Sequence, residues 1–216
     1  MSNKVPSFYT LTSPAIMMFP VLFEKKPYIK NGKEVSKPRF SAQFIIDADS
    51  PDVKGMKEVV ASLARSKWPD KKFSDMKLPF QDGTKAADKR KAKDKDDAEW
   101  QRGKLIMNTK SYTDVRLCVL ENGKIVDLES AAMIALHKDK FYQGVEVLAQ
   151  FNFSAYDASA EDSKDGITTY LNMVLSLNKG TRRSGGRSSS EVFKGYVGTI
   201  SAEDPTSGMD DIMGSM

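Results

Sequence analysis

The chain has 216 residues, 40% of them hydrophobic and 29% charged, and a formal charge of +4, a composition that suits a globular protein with one substantial core. Its apolar runs are too short and too interrupted to cross a bilayer, and MSNKVPSFYT lacks the basic start, apolar middle and cleavage site of a secretion signal. A cytoplasmic protein without membrane contact is expected. One cysteine, Cys118, and one histidine, His137, exclude an internal disulfide and a multi-cysteine zinc site.

Residues 15–24, AIMMFPVLFE, read as a strand whose Pro20 points to an edge position. A polar loop with turn chemistry at Asn31-Gly32 follows. In RFSAQFIID, Phe40, Ala42, Phe44 and Ile46 share one face, and Ser41, Gln43 and Ile45 the other. Ser50-Pro51 starts a helix, with Val53, Met56, Val60, Leu63 and Ala64 at helical spacing to about Lys67. Residues 82–104 are the least hydrophobic stretch of the body, mix both signs of charge, and read as a mobile insertion.

Strand character returns in KLIMNTKSYTDVRLCVL, turns at Asn122-Gly123 and continues in IVDL. Ser130 caps a short helix. Residues 145–156 alternate, with Val147, Ala149, Phe151, Phe153 and Ala155 on one face. In residues 168–177, Leu171, Met173, Leu175 and Leu177 make a core face opposite Tyr170, Asn172 and Ser176. The two segments form a long hairpin. A basic loop, NKGTRRSGGRSSS, precedes the end of the chain. Strands separated by turns, without strand–helix repeats, predict a mainly β Greek-key barrel.

The last sixteen residues hold four acids and no bases, which leaves +8 on the first 200. The expected organisation is one domain over residues 1–200, with the charged insertion at about 82–104, and a weakly acidic flexible tail at 201–216. A basic body suits a partner that carries phosphate.

Catalysis finds no foothold. The sequence has no phosphate-binding loop, no GxSxG, no HExxH and no CxxC. Cys118 lies in an apolar run and reads as a small buried hydrophobe. His137 sits at a helix end. Asp96, Asp97 and Glu99 fall in the charged insertion, where carboxylates are poorly fixed for a metal. No enzyme activity, cofactor or metal is expected.

Binding chemistry remains. Tyr112 beside Lys110, Tyr156, Tyr170, and Trp100 beside Arg102 and Lys104 pair aromatic faces with cations. Unpaired bases stack on such rings while lysine and arginine meet the phosphates. The candidate stacking residues are Trp100, Tyr112, Tyr156 and Tyr170. The candidate phosphate contacts are Arg39, Arg102, Lys104, Lys110 and Arg116, with Arg182, Arg183 and Arg187 as accessories. Plainer roles stay open: Tyr112 and Tyr156 at the core rim, Trp100 pinning the insertion, and the three loop arginines as solubilising charge.

An ordered series adds to this: KPRFSAQFIID, LPFQDG, WQRGKLIMNTKS, FYQG, AYD, DGI, YLNMV, and SGGR with SSSEVF behind it. From about Ser13 to Phe193 the chain resembles the phage family of OB-fold single-stranded DNA-binding proteins, similar in role to the replication-associated protein of T7-like phages. The resemblance implies a five-stranded OB barrel with one or two decorating helices. It also implies sequence-tolerant binding of single-stranded DNA during phage replication, recombination and repair, in the cytoplasm of an infected bacterium. The resemblance further implies a tail that recruits phage or host replication proteins, as the acidic tails of many such proteins do, whereas SAEDPTSGMDDIMGSM has few acids and no terminal aromatic. A homo-oligomer is compatible with this reading. A strand-annealing recombination protein and a phage adaptor module that holds protein are the alternatives.

Overall fold

A computed structural model describes residues 6–30, 32–93, 99–159 and 164–183. The strands are β1 (Phe8–Thr10), β2 (Ala15–Lys26), β3 (Ile29–Lys30), β4 (Lys33–Glu34), β5 (Arg39–Asp47), β6 (Phe80–Asp82), β7 (Lys104–Ser111), β8 (Arg116–Glu121), β9 (Lys124–Asp127), β10 (Glu146–Tyr156) and β11 (Gly166–Ser176). Among the described residues three α-helices accompany them: α1 (Pro51–Lys67), α2 (Gly83–Lys91) and α3 (Ala131–His137). The described residues up to Arg182 form one compact unit; those from Arg183 belong to a second, of which only Arg183 is described. The expected tail at 201–216 lies outside the described residues.

Pairing runs β2–β5–β7–β11–β10 and returns to β2, which closes a five-stranded barrel. All of these pairs are antiparallel except β7 with β11, which meet in parallel at Lys110 and Tyr170. Numbering the barrel strands one to five gives the circuit 1-2-3-5-4-1, the expected OB-type barrel. The β8–β9 hairpin extends the sheet beyond β11, and β1 lies along β10.

The main core is the barrel interior. Phe44 and Phe151 meet edge to face at 5.0 Å, and Val147, Phe153, Leu171 and Val174 complete the centre. Helix α1 begins where its sequence signals place it, with Ser50 Oγ accepting from the Asp52 N–H at 3.3 Å and Pro51 in the first turn. Val53, Met56, Val60 and Ala64 bury against the core. Asp52, 1% exposed, ties the helix to the segment before β2. It accepts from the Thr12 and Ser13 N–H groups, from Thr12 Oγ1 at 2.8 Å and from the Tyr9 hydroxyl at 3.0 Å. Burial works to raise its pKa, but the Thr12, Ser13 and Tyr9 donors prevail and hold it below the usual carboxylate value.

Three expectations need correction. Strand β2 is not an edge strand: it pairs with β10 at Ala15 and Ile16 and with β5 along its length. Pro20 is accommodated because the β2–β5 register shifts between Met18 and Val21, so no ladder bond is asked of it. The core face of β11 also changes along the strand. Gln150 pairs with Met173 and Phe151 with Leu171, leaving Asn172 as an extra residue. Past this bulge Val174 and Ser176 are fully buried, while Met173 and Leu175 are only half-buried.

The charged insertion is the third. Asp82 caps α2 by accepting from the Thr84 and Lys85 N–H groups. A short turn at Glu99–Gln101 then returns the chain to β7. On the outside of the barrel, Ala86 and Trp100 pack on Met18, Ile45 and Ile106, a small second core. A Cβ at Gly83 would stand 2.0 Å from the Gln101 carbonyl oxygen, so this close approach needs glycine. Both ends of the insertion are thus packed; residues 94–98, with Asp96 and Asp97, lie outside the described residues.

Candidate nucleic-acid interface

The outward face of β5 and β7 carries Arg39, Ser41, Gln43, Asn108 and Lys110, because the residues alternating with them fill the barrel. Gln43 and Asn108 are cross-strand partners, and the Gln43 side-chain amide donates to Asn108 Oδ1 at 2.9 Å. Around this floor opens a groove of about 740 Å³. Its walls come from both sides: Phe19 and Tyr28 from β2 and the loop after it, Lys77 and Gln81 before α2, and Tyr156, Thr168 and Tyr170 from the β10–β11 hairpin.

Rings and cations are interleaved here. The Lys110 ammonium lies 5.5 Å from the Tyr170 ring centre and 5.9 Å from that of Tyr112. The Arg39 guanidinium lies 5.8 Å from the Tyr28 ring. Arg39, Lys77 and Lys110 have no carboxylate partner among the described residues.

The hairpin wall is braced from behind. Asp157 accepts from Lys67 Nζ at 2.7 Å and from Trp68 Nε1 at 3.3 Å, and Asp165 pairs with Lys71. The Lys71 ammonium and the Ala158 N–H hold Asp165 below the usual carboxylate range. Burial, then the nearby Asp165 charge, raise the Tyr156 pKa, so its phenol stays neutral.

The structure thus brings together Arg39, Lys110, Tyr156 and Tyr170, with Tyr112 at the rim through Lys110. It disperses the rest. Trp100 belongs to the second core. Arg102 binds Glu99 Oε2 at 2.6 Å and Asp88 Oδ1 at 2.7 Å, which raises its pKa further. Lys104 pairs with Asp47, and Arg116 with Asp127 at 3.0 Å. Arg182 lies over the Tyr142 ring at 4.5 Å, outside this groove. Arg183 is half-buried, and Arg187 lies outside the described residues.

A family model described as the ssDNA-binding protein of Enterobacter phage Enc34 matches residues 11–205. The chain belongs to that family. Among solved structures, the single-stranded DNA-binding protein from bacteriophage Enc34 is similar, with a TM-score of 0.58 at 17% identity over 86% of this chain and 88% of that one. The same phage protein in complex with ssDNA gives 0.58 at 19% identity, over 83% and 90%. The single-stranded DNA-binding protein gp2.5 of bacteriophage T7 gives 0.51 at 11% identity, over 86% and 93%. At these identities the likeness is one of fold. No curated protein matches the chain in sequence.

Within this Enc34-family barrel, Phe19 and Tyr28 escaped sequence reasoning, although they are 55% and 54% exposed. Tyr28 sat in a loop read only for its turn. Phe19 sat inside an apolar run, and the one signal was Pro20 behind it, which breaks strand geometry.

Cys118 and His137 take no part in the groove. The Cys118 thiol donates to Asp127 Oδ1 at 3.0 Å, and burial together with that bond pushes its pKa up to about 12. Since the thiolate is the reactive form, iodoacetamide at pH 8 is expected to modify folded protein at least about a hundredfold more slowly than unfolded protein. Equal rates, read by mass spectrometry, would show a reactive thiol. His137 ends α3, its Nδ1 at 2.9 Å from the Met133 carbonyl oxygen and its Nε2 at 3.2 Å from Glu121. Among the described residues, no three acids, histidines or cysteines are grouped to hold a metal ion, and no helix is long and apolar enough to cross a membrane.

Proposed function

We propose that the protein binds single-stranded DNA along the β5–β7 groove, without enzymatic activity, in phage DNA replication within the host cytoplasm. The observation that carries this reading is Lys110, unpaired by any described carboxylate and set between the rings of Tyr112 and Tyr170. A base can stack on a tyrosine while its phosphate meets the adjacent ammonium, and neither contact depends on base identity. The groove occupies the second and third barrel strands and is flanked by the loops between strands one and two and strands four and five, the surface OB barrels use for oligonucleotides. Family membership and the fold shared with phage single-stranded DNA-binding proteins support the same reading.

Fluorescence anisotropy with single- and double-stranded oligonucleotides of equal length, at two salt concentrations, tests it. The single strand is expected to bind at least about tenfold tighter, because a paired base cannot reach the rings. Within this groove, phosphate contacts by Arg39, Lys77 and Lys110 contribute about −2 to the log–log salt slope. Equal and weak binding of both forms would instead favour a protein-holding adaptor.

A further inference from the structure

The wall of the groove at Phe19 has a second side. Phe19 is held at φ +49°, a conformation a bulky side chain adopts only under constraint, and the residue is more than half exposed. The register shift that contains it turns Phe19 into the first groove, while the next residues, Pro20 to Phe23, line a separate cleft of about 350 Å³. Opposite them stand Lys138, Phe141, Tyr142 and Arg182.

This cleft repeats the chemistry of the first. The Lys138 ammonium lies 5.2 Å from the Phe23 ring centre, and the Arg182 guanidinium 4.5 Å from that of Tyr142. The Tyr142 hydroxyl donates to the Gly180 carbonyl at 2.9 Å, and Phe23 meets buried Phe141 edge to face at 5.9 Å, so both rings are held in place. Lys26, Lys138 and Arg182 have no carboxylate partner among the described residues. The cleft's own carboxylates are Glu24 and Asp139, and Asp139 faces Lys140 at 3.9 Å.

We infer that a bound single strand does not end in the first groove but crosses the Phe19–Pro20 ridge and continues into this cleft. There Lys138 and Arg182 take phosphates, and the rings beneath them offer faces to further bases. The inference rests on the reading of the first groove as the DNA site. Continuity argues for the same strand rather than another partner: residues 19 and 20 are adjacent in the chain, and each cleft presents cations seated on aromatic rings.

The test is the variant Lys138→Ala with Arg182→Ala, titrated with oligothymidylates of about 5 and about 15 nucleotides, spanning the lengths an OB fold engages. The shorter probe fits the first groove alone, and its affinity is expected to stay within about twofold, which also shows that the variant is folded. The longer probe is expected to lose about tenfold in affinity, and its salt slope to shrink by about 1.4 as two phosphate contacts disappear. Lys110→Ala, by contrast, weakens both lengths. Unchanged affinity for the long probe, or equal loss on both, overturns the inference. A wild-type protein that binds neither length overturns the reading of the first groove, and the inference with it.

Discussion

Replacing Tyr28 and Tyr170 together by alanine is expected to weaken single-stranded DNA binding by about 2–6 kcal/mol, since each stacked base contributes about 1–3 kcal/mol. The two rings stand on different walls of the groove, and each carries its own cation, Arg39 on Tyr28 and Lys110 on Tyr170. Losing a ring removes a stacking face and leaves its cation unsupported. Tyr28 is held by its stem, where its N–H meets Ser36 Oγ and its carbonyl accepts from Val35. Tyr28 is 54% exposed, so its loss falls on binding rather than folding. Anisotropy titration measures the effect, and an unchanged melting temperature confirms the fold. Affinity within twofold of wild type would remove both rings from the site.

Asp52→Ala is expected to lower folding stability by about 3–5 kcal/mol, because it orphans buried donors that one carboxylate now satisfies. The carboxylate joins α1 to the turn ahead of β2, and the Tyr9 ring lies so close to Gly55 that a Cβ there would come within 2.5 Å of it. Urea denaturation reads the change. The pH dependence gives a second readout. With a folded pKa below the usual value of about 4, Asp52 contributes its full stability above that pH and loses it as pH falls through the folded value. Tyr9 acts at the other end. Burial and the Asp52 bond push its pKa from 10.0 up to about 12, so its contribution is complete below pH 10 and lost as pH rises towards 12. Asp52→Asn should flatten the acid limb. An Asp52→Ala midpoint equal to wild type would show that the network adds nothing.

Alternation made most of the barrel readable. Period two along β5 and β10 separates core from outward residues, and Lys110 and Tyr170 fall on the outward face by the same rule. What alternation cannot supply is register. The extra Asn172 in β11 and the shift between Met18 and Val21 in β2 each reverse a face, which is why Val174 is buried and Phe19 exposed. The cations were harder for another reason. Arg102, Lys104 and Arg116 look as free in the sequence as Lys110, but folding sets Asp88, Asp47 and Asp127 beside them. Trp100 left one trace: Ile45 sits on an otherwise polar face, and an apolar side chain there needs a cover, which Trp100 and Ala86 provide.

The barrel is not sewn evenly. Strand β7 is laced to β5 from Phe40 to Asp47, and β10 to β11 from Val147 to Tyr156, but β7 and β11 share the single register point Lys110–Tyr170. That point lies in the floor and wall of the groove. A nucleic acid strand stacked on Tyr170 and salted to Lys110 would straddle this thinly paired seam and act as its missing stitch. Opening of that seam and release of a strand bound there would then be one motion, and the cargo would help to hold the barrel shut.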